Sequence, residues 1–564
     1  MIRSALLVSS ILTLGACGQA IEPASPSIAS VDGWCFHGGT IHTADDRQPQ
    51  VEAVAVMAGE IVHAGPATDG WCPDGASDYD LNGYALYPGL TDAHAHLIGI
   101  GQREMELDLS AVTSIRELQD AVRGAADTLP AGETIYGRGW IETHWPEGRF
   151  PNRGDLDAVT DRHPVVLIRS DGHAAVVNSL ALSRSSIVGS TEAPFGGAIN
   201  LDADGNPTGM LIDTAMGLTD DLVPDATAEN KAEAYRLGSD VYVSRGWTNI
   251  HNMSVPQDDV ELINRLANDG DIKLRVYNAV GLPDRQASER VNRMRGGMST
   301  ESPFVTTRAV KLYADGALGS RGAALLAPYS DDPSNTGLMT LDRDRAMATF
   351  QAALRNGIQI NTHAIGDKGN KAVLDWYEEV FNSVPRGDWA VPNPRWRIEH
   401  SQILDVSDIE RFNALGVIPS MQPSHAIGDL HFAVDRLGPD RLGGAYAWRA
   451  LIDSGTVIAG GSDAPVEVGD PRIELHAAMN RTDLSGYSNE DWNVDQRVTP
   501  QEALKMFTLW PAYAAFQEDR LGSITVGKRA DLSVFNKDML DPEIAPMDAE
   551  PVMTMVDGKV VWAR

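Results

Sequence analysis

Pro88-Gly89-Leu90-Thr91-Asp92-Ala93-His94-Ala95-His96 is a short apolar strand that turns polar at its end. Along an extended chain, residues two apart point the same way, so His94 and His96 present their imidazoles to one side. Two neutral imidazoles converging on a point suit a divalent transition metal. A lone His-x-His pair says little. Its place after an apolar strand and a Pro-Gly turn gives it weight.

The pattern recurs downstream. Val310-Lys311-Leu312-Tyr313-Ala314-Asp315-Gly316 puts a lysine inside an apolar strand, and Asn361-Thr362-His363-Ala364-Ile365-Gly366-Asp367 ends another. Arg397-Ile398-Glu399-His400-Ser401-Gln402 and Ala459-Gly460-Gly461-Ser462-Asp463-Ala464-Pro465 end two more. Strands are predicted near residues 86–92, 246–250, 274–280, 307–313, 358–362, 395–399, 417–421 and 457–461, with helical patterns between them. Eight such units predict an α/β chain whose residues 86–514 form a (β/α)8 TIM barrel. The gap of residues 97–245 is too long for one crossover, so a large insertion after strand 1 is expected, a lid or pocket wall. Each ionisable residue has an ordinary structural explanation alone: a bonded core histidine, a snorkelling lysine, a capping aspartate. Five metal-capable strand ends on the face where barrels carry their sites argue for chemistry instead.

Residues 33–85 and 515–564 hold short β-like runs separated by turn residues, which predicts a small β-sandwich built from both termini. The chain opens with Arg3 and an apolar run from Ala5 to Leu14, too short to span a bilayer, and reaches Leu14-Gly15-Ala16-Cys17. That end resembles a bacterial lipobox. Residues 1–17 then read as a lipoprotein signal ending in Cys17, and 18–32, rich in Ala, Ser and Pro, as a tether. The expectation is a periplasm-facing lipoprotein of the bacterial cell envelope, at the outer membrane, held to the membrane by lipid alone. Cys35 and Cys72 remain, and an oxidising compartment would permit a disulfide between them. A formal net charge of −32 excludes nucleic acid as a partner, because phosphates would be repelled. A small-molecule substrate is expected, with a homo-oligomer left open.

The motifs together, H-x-H, K-x-x-A-D-G, T-H-A-I-G-D, R-I-E-H and G-S-D-A-P in that order, resemble the amidohydrolase superfamily and, within it, amidohydrolase family 3, the branch that includes N-substituted formamide deformylases. Gly522-Ser523-Ile524-Thr525-Val526-Gly527-Lys528-Arg529-Ala530-Asp531-Leu532 is similar to the family's closing segment. The resemblance implies one or two divalent metal ions, zinc first. His94, His96 and Asp463 would hold one, and His363 and His400 the other. A carbamate on Lys311 would bridge them, bringing negative charge where an ammonium between two dications would be repelled. It further implies hydrolysis of an amide-type C–N bond, in an N-acyl, N-formyl or cyclic amide, by a metal-activated hydroxide with Asp463 as proton shuttle. An esterase, lactonase or phosphoesterase on the same metals is one alternative, and a lipid-anchored binding protein with a relic site another.

Four more residues are candidates for substrate contact. His173, in Ser170-Asp171-Gly172-His173, is similar to a family segment and reads as substrate-facing or structural. Asp315 reads as orienting Lys311 or the substrate. Arg321, with Ser320, reads as binding a polar or anionic group or as an exposed helix start. His251, at the end of the second strand, reads as a hydrogen-bonding group. Trp140, Trp145 and Phe150 line an apolar pocket or pack a core.

Overall fold

The computed structural model describes residues 33–223, 227–282, 287–294, 302–489 and 492–564. The expected signal, its Cys17 and the tether lie outside the described residues.

The eight barrel strands are Leu90–Ala95, Trp247–Val255, Arg275–Gly281, Val305–Tyr313, Gln359–Ala364, Arg397–His400, Ile418–Met421 and Ala459–Gly460. They pair in that order, and every ladder is parallel. Ile250, Val276, Val310, Ile360 and Ile398 are buried at 1% exposure or less, which is why these runs are apolar on both faces. Burying each such side chain stabilises the barrel by about 1.5–3 kcal/mol. The last strand has two residues, and side chains and loops complete the closure. Asp463 N–H donates to His94 O at 2.6 Å, and Ser462 N–H to Asp92 Oδ1 at 3.0 Å. Gly461 permits this approach, since a Cβ there would lie 2.5 Å from His94 N.

The helices between strands start and stop on local signals. Arg343–Asn356 opens with the Asp342 side chain accepting from Arg345 N–H and ends at Gly357, φ +70°. Leu97–Arg103 and Ala228–Ser244 pack their backbones together at Gly101 and Gly238 and contribute Ile100, Tyr235 and Tyr242 to the barrel core. They therefore belong to the barrel wall, and the insertion is narrower than residues 97–245. Its own sheet runs in the order Gly197–Leu201, Pro207–Asp213, Ala174–Val177, Val165–Arg169, Ile135–Trp140, Leu107–Asp108. A separate core of Leu118, Val122, Trp140 and Trp145 supports it. Phe150 packs on that core, so these aromatics serve the insertion's interior.

Both termini build one domain, as the turn-rich ends predict. Its strands are hydrogen-bonded into a single eight-stranded sheet, running from Lys559–Ala563 through Ala85–Pro88 to Glu60–Gly65. The sheet curls until its two hairpin turns meet, at Gly59 and Gly558, around Phe36, Val54, Leu86, Val534 and Met555. Ala85–Pro88 belongs to this sheet, so the barrel begins at Leu90. Cys35 and Cys72 form a disulfide. Among the described residues, no helix is long and apolar enough to cross a membrane.

Candidate metal centre

The C-terminal ends of the barrel strands open into a cavity of about 1160 Å3, lined by His94, His96, Lys311, His363, His400 and Asp463. Residues spread over 370 positions meet there. The metal-facing atoms of His94, His96 and Asp463 lie within 4.8 Å of one another. His400 and Asp463 form a second such group with His425.

Hydrogen bonds fix the tautomers and show what the group can hold. His94 Nδ1 donates to Glu399 Oε2 at 2.6 Å, and His96 Nδ1 to Met253 O at 3.1 Å. Both acceptors lack a proton to give, so each Nε2 carries its lone pair. Those lone pairs face Asp463 Oδ1, at 3.4 Å from His94 and 3.1 Å from His96. His400 Nδ1 donates to Gln422 Oε1 at 2.9 Å, which frees its Nε2 likewise. Acceptors pointed at acceptors in a buried site repel unless a cation lies between them, so the donor set fits a divalent metal. Burial pushes the imidazoles of His94, His363 and His400 well below the usual range, keeping them neutral and ready to ligate.

Lys311 Nζ stands 3.3 Å from His94 Nε2. Burial lowers it to about 8, against the partial opposition of Glu399 and Asp463, so more of it is the free amine. Two of the strand-end residues sit on left-handed backbone, His400 at φ +75° and Asp463 at φ +61°, which turns the chain sharply as it leaves the sheet.

His363 packs edge-to-face against His400, ring centroids 4.5 Å apart, yet its Nε2 faces Gly316 O and Asp315 Oδ1, both at 3.4 Å. It shares the cavity and belongs to neither three-ligand group. His173 lines the cavity from the insertion. Its Nδ1 bonds Asp213 Oδ1 at 2.6 Å, and although burial opposes the charge, Asp213 raises the imidazole.

Three candidates for substrate contact have other partners, although Asp315 still lines the cavity. Asp315 accepts from the backbone N–H groups of Ala324, Ile365 and Gly366, so its oxygens tie loops together behind His363. Burial still raises its carboxyl to about 7. Arg321 is spent on Asp331, at 3.2 and 2.9 Å, outside the cavity wall. His251 lies under the site, its Nδ1 accepting from Arg397 Nη1 at 2.8 Å.

Sequence reasoning passed over Glu399 and His425. Glu399 sits inside a quoted motif, buried and clamped by Arg397 Nε at 2.7 Å. His425 comes from the helix Pro423–Asp429, beyond the seventh strand, where no motif marked it. Gln402 Nε2 donates to His425 Nδ1 at 3.0 Å, so His425 Nε2 carries hydrogen and offers a donor. On that ground His425 is set apart from the lone-pair ligands, despite its distance to Asp463.

An alpha/beta barrel with a histidine and aspartate metal centre at its C-terminal face is the architecture of a metal-dependent hydrolase. The family model described as "Amidohydrolase family" matches residues 79–562, and the chain belongs to that family. It is 32% identical over 541 residues to YtcJ of Bacillus subtilis (strain 168), covering 94% of this chain and 99% of that protein. It is 27% identical over 540 residues to an N-substituted formamide deformylase of Arthrobacter pascens, covering 93% and 97%. Among solved structures, an uncharacterized metal-dependent hydrolase from Pyrococcus furiosus superposes with a TM-score of 0.69 at 26% identity. That match covers 90% of this chain and 100% of the other.

Proposed function

We propose that this hydrolase cleaves an amide-type C–N bond of a small molecule, using His94, His96, Lys311, His363, His400 and Asp463 to hold one or two divalent ions, zinc first. The observation that carries the reading is the convergence of the Nε2 lone pairs of His94 and His96 on Asp463 Oδ1, with Lys311 Nζ 3.3 Å from that of His94. Bound divalent cations would supply Lewis acidity to a carbonyl and acidify a water. Lys311, buried and lowered to about 8, can attack CO2 as the free amine, losing a proton to leave a carbamate whose charge would complete the cage. Asp463 Oδ2, on the side of His400 and His425, is placed to take the proton of the attacking water and deliver it to the departing nitrogen. An amide needs that delivery, because an amide anion is a very poor leaving group. His173, held by Asp213, faces the substrate. The likeness to a formamide deformylase supports C–N chemistry. We also propose export and lipid attachment at Cys17, which the Cys35–Cys72 disulfide supports, since such bonds persist in oxidising compartments.

The test is metal analysis of the purified protein, with assays on N-acyl amino acids, formamides, lactones and aryl phosphates. Turnover of the first two classes, abolished by chelation and restored by zinc, is expected. Turnover confined to lactones or phosphates would replace the C–N reading. A metal-free protein that metals do not activate would end it.

A further inference from the structure

Beside the metal centre the cavity opens into a side chamber of about 80 Å3. The two spaces share Asp171, His173, His400, Asp463 and Val466, so the chamber adjoins the reacting position. Its charges are unbalanced. The one guanidinium, Arg169, is saturated by Glu142, at 2.8 and 3.2 Å, and by Asp171. Asp429 and Glu467 are left over. Asp429 Oδ2 accepts a 2.7 Å hydrogen bond from the Tyr446 hydroxyl. Among the described residues, neither carboxylate has a lysine or arginine within ion-pair distance. Burial raises both, Asp429 to about 7 and Glu467 to about 8, and the neighbouring carboxylates Asp429 and Asp463 add to the rise at Glu467. A cation is what this wall lacks.

A second observation marks the same place. His425 is 8% exposed, and its Nε2 is buried with no hydrogen-bond partner. It faces the chamber, 3.8 Å from Asp463 Oδ2 and 3.9 Å from Glu467 Oε1. With Nδ1 occupied by Gln402, this Nε2–H is a donor without an acceptor. One imidazole edge thus spans the interval between the metal-facing carboxylate and the chamber carboxylate.

We propose that the chamber selects substrates bearing a small ammonium group a few bonds from the scissile carbonyl, the ammonium held by Glu467 and Asp429 and an acceptor oxygen of the same molecule held by His425 Nε2–H. A chamber of this size admits an aminomethyl or aminoethyl group and little more. The inference rests on the hydrolytic reading above for its substrate and on the chamber alone for its specificity.

Two measurements on the zinc-loaded protein separate these. The first compares glycyl- and propionyl-p-nitroanilide, which differ by an ammonium in place of a methyl. A kcat/KM preference of at least about tenfold for the glycyl compound is expected, the scale of one charged hydrogen bond. In Glu467→Gln the ratio should fall below about twofold, with the melting temperature retained. The second needs no turnover. Saturation-transfer NMR should show glycinamide but not propionamide bound to the wild type, and glycinamide binding lost in Glu467→Gln. If glycinamide binds so and neither anilide is cut, the chamber assignment stands independently of the amide reading. Equal treatment of the charged and neutral probes, absence of glycinamide binding, or a preference that survives Glu467→Gln would overturn the proposal.

Discussion

Glu399→Gln changes one atom type beneath the site and should weaken metal binding without touching a ligand. Glu399 accepts from His94 Nδ1 at 2.6 Å through Oε2, and its Oε1 forms an ion pair with Arg397 Nε at 2.7 Å. Arg397 Nη2 adds a third contact to Oε2, at 3.0 Å. A carboxylate satisfies all of these donors, whereas glutamine keeps one acceptor oxygen. If that oxygen stays on Arg397, the amide N–H2 meets the His94 Nδ1–H, and the imidazole is pushed towards the wrong tautomer. Partners of this kind are worth tenfold to a hundredfold in metal affinity, about 1.4–2.8 kcal/mol. In either orientation Arg397 loses its counter-charge while fully buried. Breaking a buried pair from one side costs about 3–5 kcal/mol. Arg397 keeps Ser420 Oγ at 2.7 Å and Ala93 O at 2.6 Å, which softens that cost. Competition of the apoprotein against a zinc chelator, with a thermal melt alongside, reads both terms. Zinc affinity within twofold of wild type and an unchanged melt would show that His94 does not depend on Glu399 for its exposed lone pair.

Asp463→Asn should leave the fold intact and cut turnover at least about a hundredfold, read as kcat with folding checked by circular dichroism. Near-full activity would contradict the proton-shuttle role. Replacing Cys35 and Cys72 together by serine should cost roughly 4 kcal/mol of the terminal domain's stability, from the entropy of closing a loop with a sequence separation of 37, seen as a lower denaturation midpoint. Glu106 is raised to about 7 by burial, partly offset by Arg138. The folded chain therefore holds this proton more tightly than the unfolded chain, and stability falls as pH climbs from the ordinary carboxyl value towards 7. Glu106→Gln should thus melt higher than wild type at pH 8 and alike at pH 4.5. A gain at pH 4.5 as large as that at pH 8 would contradict this.

Much of the barrel is legible because each strand is an apolar run with chemistry at its end. Ile360 through His363 is typical, buried strand residues followed at once by an imidazole. The ligands were findable for the same reason, since strand ends of a closed barrel converge whatever the distance along the chain. Readings failed where long-range pairing decided the outcome. Arg321 looks like a free cation until Asp331 folds back onto it. Asp315 looks aimed at the site until three amide groups from two loops claim its oxygens. His425 follows a short strand on a helix, and only Gln402 and Glu467, from other elements, give it meaning. The insertion's sheet brings His173 and Asp213 together across 40 positions, with no local signal of that partnership.

His94, His96 and Asp463 are arranged to cage a cation rather than one another. Anomalous diffraction from crystals of the zinc-loaded protein, recorded on both sides of the zinc absorption edge, tests it most directly. A peak is expected among the Nε2 atoms of the two histidines and the Asp463 carboxylate, lost in the His94→Ala, His96→Ala double variant. A zinc-loaded crystal with no peak at that position, or an undiminished one in the double variant, would contradict it.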